Sequence, residues 1–241
     1  MSKTVWITGA SSGIGQEFAR RYAKMGCRLI LTARRTDRLE ALAAELTAKH
    51  STFCRILPAD LEQESECARL CEALTDERID IFINNAGFGV CGSFLETSGE
   101  KELSMAKVNV LAMHQLFKFA VKKMEAQGFG TVLNVASSAG LLPGGPYMAG
   151  YYATKAYVVS LTQGVAEELR QQHSPVYVCA PARWTPSSTS GPMWCSHCGA
   201  SARNSAWRRP CGGCCTTRPS SSRRPSCGRR RRPSGSCRWR S

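Results

Sequence analysis

The sequence predicts an α/β fold, a doubly wound parallel sheet with helices on both faces, ending in a tail of different character. Six short β-branched runs alternate with longer amphipathic stretches, and the amino-acid alphabet changes abruptly after Ala180. The runs are nearly continuous in apolar side chains, as strands covered by helices on both sides must be.

Taken in chain order, the predicted strands are TVWITG (4–9), RLILTAR (28–34), CRILPAD (54–60), IDIFINNAG (79–87), TVLNVAS (131–137) and PVYVCA (175–180). Helical apolar spacing with few breakers fills 37–50, 64–77, a long segment from about 101 to 127, and 153–172. Six such β-α repeats place ligands at the carboxyl ends of the strands.

Of the 241 residues, 43% are hydrophobic, enough for one domain with a sizeable core. The formal charge of +14 is unevenly placed. Residues 1–180 carry all 18 acidic residues against 19 basic ones, while 181–241 carry 13 Arg and no acid. The six cysteines of 1–180 are scattered through apolar or helical patterns and read as reduced, small hydrophobes. The first residues, MSKTVWITGA, lead straight into glycines, and no apolar stretch approaches ~18 residues, the length of a membrane span. A cytoplasmic protein without a membrane segment is expected.

TGASSGIG (8–15) lies between the first strand and a helix. Gly9 permits a tight turn, Gly13 close backbone approach, and Gly15 close packing of helix on strand. Ser11, Ser12 and Ile14 stand where hydroxyls or backbone N–H groups meet a pyrophosphate at the helix N-terminus, the Rossmann-type arrangement. At the end of the second strand, an acidic residue would bind the ribose hydroxyls of NAD. Arg34 and Arg35 stand there instead, and their guanidinium forks suit the 2′-phosphate of NADP. The alternative is a solvated pair before a helix cap at Thr36. Asp60, with Leu61 after it, ends the third strand where a carboxylate can accept from an adenine amino group. The alternative is a cap for a helix beginning near Glu62. Asn85, in NNAG (84–87), is placed to brace the cleft or the cofactor-side backbone, and Gly87 and Gly89 read as ordinary loop glycines.

In YYATK, Tyr151 and Lys155 are four residues apart and share one helix face. A free phenol titrates near ~10, too high for an efficient proton shuttle at neutral pH, and a nearby ammonium favours the phenolate. Ser138 ends the fifth strand, suited to a carbonyl oxygen that gains charge. Asn109, in the long central helix, can hold a relay water. Tyr147 and Tyr152 lack a Lys four residues later and read as packing or pocket residues. The segments 88–94 and 141–148 are the expected pocket lining.

TGASSGIG, NNAG, VNV (108–110), NVASSAG (134–140) and YYATK occur in an order and spacing that resemble the short-chain dehydrogenase/reductase family over residues 4 to 180. The resemblance implies hydride transfer between NADP(H) and a small-molecule alcohol or carbonyl compound, with no metal. Tyr151 would be the general acid/base, Lys155 would lower its pKa and hold the ribose, Ser138 would orient the substrate oxygen, and Asn109 would anchor the relay water. Members similar in TARR (32–35) typically use NADP rather than NAD. Homo-oligomers paired through the long central helices are also implied.

The resemblance stops where the alphabet changes. From 181 to 241 there is no Leu, Ile, Val, Phe, Tyr, Asp, Glu or Lys. Cys195, Cys198, Cys211 and Cys214 have zinc-ribbon spacing, and Arg229–Arg232 could serve as a nucleic-acid arm. These features define an alternative, a non-catalytic nucleotide-binding protein with a zinc- or nucleic-acid-binding tail. Ordering 61 backbones costs on the order of 60–120 kcal/mol, against which four Trp, one Met and a few Ala bury little. A disordered, out-of-frame tail is the expectation. Residues 181–188 can be encoded so that reading one base earlier gives Pro-Gly-Pro-Val-Asp-Ala-Glu-Phe, which resembles the family's turn after the sixth strand. Residues 215–223 can likewise be read back as His-Asp-Lys-Ala-Val-Val-Val-Pro, which looks like the family's last strand.

Overall fold

The computed structural model describes residues 2–180. The zinc, nucleic-acid and reading-frame expectations for 181–241 lie outside the described residues. Six parallel strands form one sheet: β1 (Thr4–Thr8), β2 (Arg28–Thr32), β3 (Cys54–Ile56), β4 (Ile81–Asn84), β5 (Gly130–Asn134) and β6 (Val176–Cys179). Their order is β3-β2-β1-β4-β5-β6, so the chain reverses direction across the sheet between β1 and β4. That reversal opens a crevice at the carboxyl ends of these two strands.

The helices are α1 (Gly13–Lys24), α2 (Thr36–His50), α3 (Glu64–Ala73), α4 (Gly99–Ala106), α5 (Met113–Gln127) and α6 (Ala149–Gln171). Period-two side chains sort the sheet's two faces. Val5, Ile7, Leu29, Leu31, Ile83 and Leu133 pack with Phe18 and Ala19 of α1 and with Leu39, Leu42 and Leu46 of α2. Trp6, Ile30, Phe82 and Val132 pack on the opposite face with Leu70, Leu116, Ala120 and Val158. Trp6 is fully buried, stacks on Phe82 at 4.1 Å between centroids, and donates its indole N–H to Thr32 Oγ1 at 3.0 Å.

All six predicted strands are present, each shorter than its apolar run. β1 stops because Gly9 takes φ +66°, outside the extended region. β4 stops because the next two amides, of Asn85 and Ala86, both donate to the Thr8 hydroxyl at 3.0 Å. The segment expected as one helix over 101–127 is instead α4, a π-helical turn (Lys107–Ala112) and α5. The wider turn holds Asn109 inward, only 1% exposed. Helix α6 begins four residues earlier than predicted and so carries Tyr151 in its first turn. Helix α3 starts at Glu64 rather than near Glu62, and Thr36 is the first residue of α2, after the capping position held by Arg35.

Cys27, Cys54, Cys67, Cys71 and Cys91 are free thiols, and burial pushes Cys67 up to about 11. Among the described residues, no helix is long and apolar enough to cross a membrane, and no group of three or more His, Cys, Asp or Glu could hold a metal ion.

Candidate active site

At the end of β1 the chain turns through Gly9 into α1. A Cβ on Gly9 would sit 2.8 Å from Asn85 Nδ2, and one on Gly15 would sit 2.3 Å from the Gly9 carbonyl oxygen. Neither position has room for a side chain. Gly13 needs its glycine for another reason, φ +54°, and nothing lies within 4 Å of its missing Cβ. The turn is therefore tight behind and open in front. Ser12 occupies the N-cap of α1, and its side chain makes no capping bond to the first turn. Those backbone donors and the positive end of the helix dipole are left for an anion. Ile14, 37% exposed, lies in the same first turn.

Asn85 braces this turn from the β4 side. Its Nδ2 donates to the Thr8 carbonyl at 3.0 Å and to the Gly9 carbonyl at 3.4 Å. The two arginines after β2 diverge. Arg35 donates to the hydroxyls of Ser11 (3.3 Å) and Ser12 (3.1 Å), whereas Arg34 pairs with Glu62 at 3.1 Å and lies 4.0 Å from Asp60. Asp60 Oδ1 accepts from the Glu62 amide at 3.2 Å, a turn-capping contact, and its side chain remains 41% exposed. Leu61 is a core residue, packed with Cys67 and Leu70, and its carbonyl accepts from the Cys67 thiol at 3.9 Å, so its side chain is not available to a ligand.

On the other side of the crevice, α6 presents Tyr151 and Lys155 one turn apart. Lys155 is 6% exposed, and its Nζ donates to the Val135 carbonyl, just past β5, at 2.9 Å. The ammonium lies 5.9 Å from the Tyr151 ring centroid. Burial pulls Lys155 down to about 8. Ser138 is not at the strand end, as predicted, but opens a 3₁₀ turn (Ser138–Leu141) that Ser137 caps by accepting from the Ala139 amide at 3.2 Å. The turn presses on α6 at Gly140, where a Cβ would meet the Lys155 carbonyl oxygen at 2.4 Å.

Asn109 joins these parts. Its Oδ1 accepts from the Phe88 amide (3.0 Å), and its Nδ2 donates to the Phe88 carbonyl (2.8 Å) and to Thr154 Oγ1 (3.1 Å). Thr154 in turn donates to the Tyr151 carbonyl at 2.8 Å. Both amide protons are thereby engaged, so the side chain clamps the loop after β4 to α6. Gly87 and Gly89 are not ordinary loop glycines. A Cβ on Gly87 would stand 2.8 Å from Asn109 Oδ1, and one on Gly89 would stand 3.2 Å from the Tyr151 ring. Beneath them a buried chain runs from Asn84 (to the Met113 carbonyl, 2.9 Å, and Asn134, 3.1 Å) through Asn134 to Thr162 (2.9 Å), tying α5, β4, β5 and α6 together.

Thr8, Gly87, Gly89, Thr154 and this Asn-Asn-Thr chain escaped the sequence reading. Thr8 and Asn84 had the available signal of polar residues ending apolar strands. Thr154 had the signal of a hydroxyl beside the Lys of YYATK.

Comparison with known proteins agrees with this arrangement. Residues 3–190 match the family model described as short chain dehydrogenase. The mouse 17-beta-hydroxysteroid dehydrogenase type 3 is 30% identical over 80% of this chain and 62% of its own length. The Very-long-chain 3-oxoacyl-CoA reductase of Podospora anserina is 33% identical over 69% of this chain and 51% of its own length. The chain thus spans between about half and two thirds of these two relatives. Among solved structures, a short-chain dehydrogenase from Sphingobium yanoikuyae in complex with NADPH has TM-score 0.67 and 36% identity, covering 75% of this chain and 72% of its own. The bulky-bulky ketone specific alcohol dehydrogenase of Comamonas testosteroni has TM-score 0.71 and 34% identity, covering 78% and 75%. The strand order, the glycine turn against Asn85 and the Tyr-Lys helix face, with a family match over most of the chain, have one reading: this protein belongs to the short-chain dehydrogenase family.

Proposed function

We propose that the chain is built as an NADP(H)-dependent oxidoreductase for an alcohol/carbonyl pair, on a cofactor-binding and catalytic unit of residues 1–180. The observation that carries this is the buried Lys155, held by the Val135 carbonyl and lying 5.9 Å from the Tyr151 ring across the crevice from the glycine turn. The residues present fit a dinucleotide: the turn is closed behind by Gly9 and Gly15, open at Gly13, and flanked by Arg35 converging with Ser11 and Ser12. In this reading the pyrophosphate meets the α1 N-terminus, Arg35 and the two serines hold the 2′-phosphate, and Asp60 faces the adenine.

When bound, the nicotinamide supplies or accepts a hydride at the substrate carbon. Tyr151 gives its hydroxyl proton to the carbonyl oxygen in reduction, and takes it back in oxidation. An ammonium beside the ring stabilises the phenolate left behind. Ser138 donates to the same substrate oxygen, where charge develops. Lys155 also reaches the ribose, and Asn109, with its side chain clamping Phe88 and Thr154, holds the loop against which the relay water sits.

The same proposal makes residues 181–241 an out-of-frame segment, replacing the family's nicotinamide-facing turn and substrate lid, so that turnover by this chain is low. It includes a cytoplasmic location and a homo-oligomer paired through the long central helices, where Leu111, in the π-helical turn, and Tyr157, on α6, are exposed. The test is to sequence the DNA across codons 179–182 and express both frames. The 241-residue chain is expected to bind NADPH, read by cofactor emission, and the reframed protein to oxidise it with a carbonyl substrate. Tyr151→Phe in the reframed protein lowers kcat by roughly 10²–10⁴. Full turnover by that variant overturns the catalytic assignment, and equal turnover by both frames overturns the impairment.

A further inference from the structure

The rim around Tyr151 is built from two loops, 88–95 after β4 and 141–148 before α6, and they are joined. The Gly92 amide donates to the Tyr147 carbonyl at 2.9 Å, and Gly89 brings the first loop against the Tyr151 ring. Between them lies a small cleft lined by Val90, Phe94, Met105, Tyr147 and Met148. Tyr147 adopts φ +63°, a left-handed conformation that a bulky side chain rarely takes, and the residue is 66% exposed in the lining of this cleft. Phe94, also in the lining, is 72% exposed, and Leu141 and Leu142 of the second loop are exposed as well.

The charge of this rim is as informative as its apolarity. From 86 to 95 and from 138 to 152 there is no Lys, Arg or His. The one charged side chain lining the cleft is Glu102, which accepts from Thr97 Oγ1 at 2.6 Å. Among the described residues that line the cleft, an anionic substituent would meet a carboxylate and no cation; the ammonium beside Tyr151, that of Lys155, is buried and already donates to the Val135 carbonyl. An uncharged substrate with bulky apolar groups meets aromatic and aliphatic surface instead.

Resting on the oxidoreductase reading above, we infer that Tyr151 acts on an uncharged carbonyl compound with a bulky apolar substituent, not on a thioester of a phosphorylated carrier or a keto acid, and that Tyr147 is the residue on which that selectivity turns. The substituent packs on Tyr147 and Phe94, the two aromatic residues that line the cleft.

Binding separates this inference from the reading beneath it. Emission of NADPH bound to the 241-residue chain carrying Tyr151→Phe, which blocks turnover, is titrated with benzil, acetoacetyl-CoA and 2-oxooctanoate. Benzil is expected to perturb the emission at concentrations about a hundredfold below either anion, two steps of about tenfold. Adding Tyr147→Ala weakens benzil about tenfold, the loss of one aromatic anchor, and leaves the two anions unchanged. Equal or tighter binding of acetoacetyl-CoA overturns the inference. Benzil affinity unmoved by Tyr147→Ala removes that residue from it, and no response to any of the three compounds, with NADPH emission present, overturns the inference as well. Absence of NADPH emission, by contrast, overturns the oxidoreductase reading itself.

Discussion

At the level of single residues, the two arginines of TARR divide between different partners. Arg35 lies over the serines of the glycine turn and Arg34 pairs with Glu62. Replacing Arg35 with Ala is expected to weaken NADPH binding by about 10–100-fold, the value of a charge-assisted hydrogen bond, and to leave NADH binding nearly unchanged. Arg34→Ala shifts NADPH affinity much less. Parallel fluorescence titrations with both cofactors check this. Lys155 makes a pH prediction. Burial lowers its folded value to about 8 from 10.5, so between those values the unfolded chain binds more protons than the folded one. Stability therefore rises as pH climbs from about 8 to about 10.5, by up to about 3 kcal/mol from this group. Below pH 8 the cost of holding a buried cation is fully present. Lys155→Met should abolish that part of the rise, seen by comparing urea midpoints of the two proteins at pH 7.5 and 10.

Among the elements, close approach matters more than propensity. The 3₁₀ turn carrying Ser138 sits on α6 only because Gly140 has no side chain to strike the Lys155 carbonyl. Gly140→Ala must push the turn away, at about 1–3 kcal/mol, and lower the melting temperature while displacing Ser138 relative to α6. The π-helical turn between α4 and α5 lets Asn109 face inward and hold Phe88 and Thr154 together. Asn109→Leu leaves the half-buried Phe88 amide and carbonyl without their partner, at about 1 kcal/mol for each. Faster amide exchange at Phe88 than in the parent protein is the measurement. Strand and helix positions were legible in the sequence because they follow from runs and periods within ten or twenty residues. The π turn was not, since 101–127 keeps helical spacing throughout and the wider turn is selected by partners on α6 and the β4 loop. Gly87 and Gly89 were misjudged for the same reason: their neighbours, Asn109 and Tyr151, are twenty-two and sixty-two residues away.

For the molecule as a whole, the sheet and its two apolar faces form the platform, and the crevice between β1 and β4 carries the site. Trp6, fully buried against Phe82 with its N–H on Thr32, belongs to the platform. Trp6→Ala should cost about 3–5 kcal/mol, read as a drop in urea midpoint. NADPH bound across the crevice stabilises the folded chain by about 2.7 kcal/mol at a hundred times its Kd. A differential scan should show the melting temperature rising with NADPH and rising less with the same concentration of NADH.

The sequence by itself determined the α/β class, the order of its elements, the glycine turn and the Tyr-Lys pair, because each is written in local period or short spacing. Tertiary structure alone decided which arginine meets the serines, what the Asn109 amide holds, and which side chains the loop glycines stand against. Those outcomes depend on atoms brought together by strand order, and contacts between residues tens of positions apart leave no periodic trace in one chain's sequence.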